Sequence, residues 1–114
     1  MKSVFLAAVF VAVLLATAIT STAHAAPYTT FGAPDCGQWT TSASTTRKAW
    51  LLGFMSGLAA RHAALGGSPT DPLNALSSSD QVLVWMTNYC KENPLSSVNE
   101  GGTRLFTELI SRKK

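Results

Sequence analysis

The chain is poor in charge. Only 13% of its 114 residues are Asp, Glu, Lys or Arg, about half the usual quarter, which excludes a highly charged disordered tail. Nine basic residues against six acidic ones leave a formal net charge of +3. That is too little for an electrostatic nucleic-acid binder, which carries a clustered basic face, so no nucleic-acid partner is expected. Two cysteines and two histidines are too few for a zinc finger or a cysteine-rich mini-protein. Asp71, Asp80, Glu92, Glu100 and Glu108 are scattered, so neither a metal site nor paired-carboxylate hydrolysis is expected. Gly66-Gly67 and Gly101-Gly102 lack the strand–turn–helix setting of a phosphate loop, and no cofactor is implied. No convincing strand and no internal repeat is present.

Nucleophilic catalysis has little to draw on. A set made of Ser56, His62 and Asp71 or Asp80 matches no known elbow or loop spacing. The remaining Ser and Thr residues lie in loops and helix caps, where capping accounts for them. His62 falls near the end of a helix, where a partial positive charge is favourable. The expectation is a protein that is not an enzyme.

Residues 1–25 read as a secretory signal peptide. Lys2 supplies the positive start, Val4 to Ala18 is an uncharged apolar run, and Ala23-His24-Ala25 is a small-x-small cleavage site. Cleavage is expected after Ala25, with Ala26 as the neighbouring choice. The run of about 15 residues is shorter than the roughly 20 that span a bilayer, so no stable membrane insertion is expected after cleavage. The periplasm or the exterior is the expected compartment. Residues 26–114 then form one domain, with an irregular arm at 26–35 and a basic tail at 111–114. In an oxidising compartment Cys36 and Cys90 either pair, in the only connectivity open to them, or remain two buried thiols. A bridge there would close a loop worth roughly 4 kcal/mol on the chain-entropy account.

The pattern along residues 26–114 is helical. Tyr28 and Phe31 are expected to pin the arm to the core, and Asp35 to Trp39 to form a short turn or a single helical turn. From about Arg47 to Leu65, Trp50, Leu51, Phe54, Met55 and Leu58 share one face, and Gly66-Gly67 ends the helix. Gly53 and Gly57 form a second stripe. Because each glycine costs about 1 kcal/mol in an exposed helix, they are read as helix-packing positions. Ser78 and Gln81 suggest a capping box opening a helix with Val82, Trp85, Met86 and Tyr89 on its apolar face. That helix should end near Glu92, ahead of Pro94. Ser97 and Glu100 suggest a second capping box. Gly101-Gly102 then means that the last helix starts late or that something packs tightly against it. The expected fold is all-α, a small three- to four-helix orthogonal array. Trp50, Phe54, Met55, Trp85, Met86 and Tyr89 are the candidate face for core packing or client binding.

Two stretches carry a family resemblance. Cys36-Gly37-Gln38-Trp39 is followed by Trp50-Leu51-Leu52-Gly53-Phe54 and Gly57, and later by Tyr89-Cys90-Lys91-Glu92-Asn93-Pro94. In order and spacing this resembles small exported bacterial proteins of the HdeA/HdeB type, over roughly residues 36–110. The resemblance implies a helical fold with a Cys36–Cys90 disulfide and, from characterised members, an acid-stress chaperone that covers protein clients. With only six acidic residues, the proton uptake that drives such a switch is small. Acidification should still loosen the helices and expose the Trp50 and Trp85 faces. The alternatives are an immunity or inhibitor protein with a single protein partner, or an accessory subunit of an envelope assembly.

Overall fold

The computed structural model describes residues 28–112. The expected signal peptide and the last two residues of the expected basic tail lie outside the described residues. Four α-helices follow one another: α1 (Cys36–Thr41), α2 (Thr45–Ala64), α3 (Ser79–Glu92) and α4 (Val98–Ser111), with a short 3-10 helix (Pro72–Ala75) between α2 and α3. Among the described residues there is no strand; a lone antiparallel bridge joins Asp35 to Ser97. Among the described residues no helix is long and apolar enough to cross a membrane.

Helices α1, α2 and α4 start where a side chain takes up a free amide. Asp35 opens α1 by accepting from Gln38 N at 2.6 Å while the Gln38 side chain reaches back to Asp35 N. Of the short turn and the single helical turn that the sequence suggested there, the helical one forms, and it runs on to Thr41. Ser44 caps α2, and Ser97 and Glu100 form the expected capping box on α4. The box expected at Ser78 and Gln81 does not form. Ser78 makes no side-chain cap, and the Gln81 carboxamide instead accepts from Ser77 N at 2.7 Å, one residue further out. Helix α2 ends where expected: Gly66 has φ +69°, and Gly67 N donates back to His62 O, a turn for which glycine is best suited.

Helix α4 is the hub, packing on α2, α3 and the 3-10 helix. It buries Val98, Gly101, Gly102, Leu105, Phe106 and Leu109, spaced i, i+3, i+4, i+7, i+8, i+11 along one stripe. Ile110 stays exposed. The two glycines do not delay the helix; they are where its neighbours come closest. A methyl placed on Gly101 would stand 2.7 Å from Tyr89 Cδ1, and one on Gly102 would stand 2.9 Å from Phe54 Cδ1. The small-residue stripe of α2 does the opposite of what its pattern suggested. Gly53 and Gly57 are exposed, with nothing within 4 Å of a Cβ at either position. They pack against no helix, because the apolar face of α2 is already turned inward through Leu51 and Met55.

Helix α1 is held to α3 by matched positions. Cys36 and Trp39, three apart, meet Cys90 and Thr87, three apart. The Cys36–Cys90 disulfide is formed, with Cα atoms 4.8 Å apart. Beside it, the Trp39 indole donates to Thr87 Oγ1 at 3.1 Å. Both cysteines and Trp39 are fully or almost fully buried. The arm is pinned by its backbone more than by its rings. Pro34 O accepts from Val98 N, and Phe31 O accepts from the Trp50 indole at 2.7 Å. The Phe31 ring itself is 87% exposed and Tyr28 is 52% exposed, touching α4 through its hydroxyl on Thr103.

Candidate functional site

The six residues of the expected apolar face separate into two groups. Met55 and Met86 are core residues, 2% and 0% exposed. They line up with Leu51 on α2 and with Val82 and Cys90 on α3. The four aromatic residues stand one column further round each helix and are half-buried. The apolar face of each helix is thus rotated relative to the simple periodic reading. On α3 the buried column is Val82, Met86, Cys90, and Trp85 and Tyr89 form its edge.

These edges are two stacked pairs of the same design. Trp50 and Phe54 lie 5.2 Å apart and 11° from parallel; Trp85 and Tyr89 lie 5.3 Å apart and 9° from parallel. Each pair is spaced i, i+4 on its helix, so the rings overlap along the axis. The inner ring of each rests on the glycine step of α4, Phe54 on Gly102 and Tyr89 on Gly101. The outer rings differ. Trp50 donates its indole hydrogen to the arm and covers Gly32. Trp85 has no hydrogen-bond partner among the described residues and borders two clefts. The Arg104 guanidinium lies 6.0 Å over the Tyr89 ring and is 3.8 Å from Glu108 in an exposed pair within α4.

Three of the six acidic groups serve helix ends. Asp35 caps α1, Asp71 accepts from Leu73 N at the 3-10 helix, and Glu100 accepts from the Ser96 and Ser97 hydroxyls and Ser97 N. The Ser96 hydroxyl, followed by the Ser97 amide and hydroxyl, holds the Glu100 carboxyl below its ordinary value, against a small opposing effect of burial. Among the described residues no carboxylate forms an ion pair between one helix and another.

Ser56, His62 and Asp71 do come to the rim of one cleft of about 340 Å³, joined there by Ser68. Their polar atoms are engaged elsewhere. Ser56 donates to Leu52 O, and Asp71 caps the 3-10 helix. His62 Nε2 accepts from Ser68 N at 3.0 Å and meets Ser68 Oγ at 3.1 Å, with the ring edge-on to Phe106. No Ser–His–Asp relay is assembled, since neither Ser56 nor Asp71 contacts the imidazole.

The residues that sequence reasoning passed over are Gly101 and Gly102 as seats for aromatic rings, and Thr87 as the partner of Trp39. The glycine pair was visible in the sequence; which rings would reach it was not. Comparison with protein-family models, curated proteins and solved structures finds no match to this chain.

Proposed function

We propose that the chain is an exported, non-enzymatic protein-binding domain that engages a single protein partner while fully folded, as an inhibitor or immunity protein does. The observation that carries this reading is how the helices are joined. They meet through an apolar core, backbone hydrogen bonds and a buried disulfide, while no carboxylate joins one helix to another by an ion pair among the described residues and three of them cap helix ends. Protonating an end cap weakens a helix locally; it does not release one helix from another. The half-buried Trp85 and Tyr89 on α3 and the exposed Arg104 on α4 have the composition of interface anchors. Export is the setting in which the Cys36–Cys90 bond persists.

The second reading is the acid-opened holdase of the HdeA/HdeB type. The two aromatic pairs favour it, because they sit at the edge of the core and a small loosening of α2 or α3 would expose them. Acid titration separates the two. Near-UV circular dichroism follows tertiary packing, and suppression of aggregation of an acid-denatured test protein follows holdase action. The folded-binder reading expects a native near-UV signal and no protection in acid. Lost near-UV signal with protection of the test protein would replace it with the holdase.

A further inference from the structure

Three tryptophans stand in this domain, and two have committed their indole N–H to the fold: Trp39 to Thr87 and Trp50 to Phe31 O. Trp85 has not. It lines a cleft of about 440 Å³ between α3, the 3-10 helix and the end of α4, within the range of small-molecule sites. Its apolar wall includes Val84 and Leu105. Its polar rim carries Asp80, Asn88 and Arg112, whose side chains, like the Trp85 indole nitrogen, have no hydrogen-bond or ion-pair partner among the described residues. Gln81 also lines the cleft, but its carboxamide oxygen already accepts from Ser77 N. Tyr89 stacks on the indole ring on the side of the smaller neighbouring cleft.

The chemistry of the rim selects among ligands. Asp80 only accepts, the Arg112 guanidinium and the Trp85 N–H only donate, and Asn88 does both. A phosphate-bearing ligand would meet the Asp80 carboxylate, and an amine would meet Arg112. A wholly apolar ligand would displace water from four polar groups and return nothing to them. A neutral molecule with many groups that donate and accept at once, and with one apolar face to lie on an indole, suits all of them. That description is a saccharide.

We propose that the Trp85 cleft is a binding site for a neutral saccharide, oriented by Asp80, Asn88 and Arg112. This goes beyond protein binding and does not depend on it. The test follows the Trp85 indole ¹⁵N–¹H resonance of the folded, oxidised domain during titration with triacetylchitotriose and with cellotriose. Trp85→Phe assigns the resonance. The expected result is a saturable shift confined to the Trp85 indole and its neighbours, with the Trp39 and Trp50 resonances unmoved. Asn88→Ala, an exposed position that no core contact needs, should weaken binding about 2- to 10-fold, the loss of one hydrogen bond. Two outcomes overturn the proposal. One is no saturable shift with either sugar in a wild-type domain whose spectrum is folded. The other is a shift with an uncharged tripeptide and none with the sugars, which would assign the cleft to a peptide segment.

Discussion

Gly53 and Gly102 are both helix-interior glycines, and they should respond to the same substitution with opposite signs. Gly53 is exposed and open, so Gly53→Ala gains helix propensity and should raise stability by a few tenths to about 1 kcal/mol. At Gly102 the added methyl would press on the Phe54 ring, with Leu51 behind it. The ring is stacked on Trp50 and cannot yield without disturbing that pair. Gly102→Ala should therefore lose about 1–2 kcal/mol, an overpacking cost partly offset by propensity. Urea denaturation of the two variants beside wild type reads both signs in one experiment. A residue's chemistry was legible in the sequence here, but its surroundings were not. Periodicity marks a stripe of small residues without saying whether solvent or a helix faces it. Thr87 makes the same point. Its hydroxyl donates to Leu83 O and accepts from the Trp39 indole. Thr87→Val should cost about 1–3 kcal/mol by leaving a buried N–H unpaired, measured by the same denaturation.

At the scale of the element, the helix starts divide by how local their causes are. The box of Ser97 and Glu100 is written within four residues, so the start of α4 was legible. At α3 the same four-residue pattern formed a different bond, because the amide of Ser77 competes for the Gln81 side chain. The all-α fold and the ends of α2 and α3 were legible for the same local reason: a glycine pair, and an asparagine before proline. The rotation of the apolar faces was not, since it depends on which side of α2 and α3 meets α4. Glu100 makes the cap of α4 pH-dependent with a definite sign. Its folded pKa is depressed from the 4.5 of a free side chain, so its contribution is complete above that value and is lost as pH falls through the lower folded value. Glu100→Gln should therefore be less stable than wild type at neutral pH, and the gap should close on acidification. Thermal melts of the two proteins across an acid series check it; a gap constant with pH would exclude the carboxylate as its source.

The whole molecule is small, and one covalent bond carries a large share of its order. The disulfide spans a sequence separation of 54 residues and joins α1 to α3, with Trp39 laid beside it. Cys90→Ser should lower stability by about 2–5 kcal/mol, the usual cost of losing a native bridge in a small exported domain, and wild type under reducing conditions should fall by a similar amount. Two cysteines behind a segment that reads as an export signal made this bond legible in the sequence. The candidate site was legible in part: its aromatic residues were picked out, but the two methionines among them belong to the core. The arm and the cleft beside Trp85 are built by contacts between distant segments, and no local pattern announces them. These long-range contacts, together with the lack of any ion pair between helices among the described residues, are why the domain is read as a binder that stays folded.

A domain that works without opening keeps its tertiary packing in acid. The most direct measurement is near-UV circular dichroism of the oxidised, signal-free domain, taken from neutral pH down to about pH 3, the range in which acid-opened compact states form. Aggregation of an acid-labile test protein is followed in the same buffers. The account predicts that the aromatic signal of Trp39, Trp50 and Trp85 stays native across that range and that the test protein aggregates as it does alone. Reversible loss of that signal with helicity retained, accompanied by protection of the test protein, would contradict it.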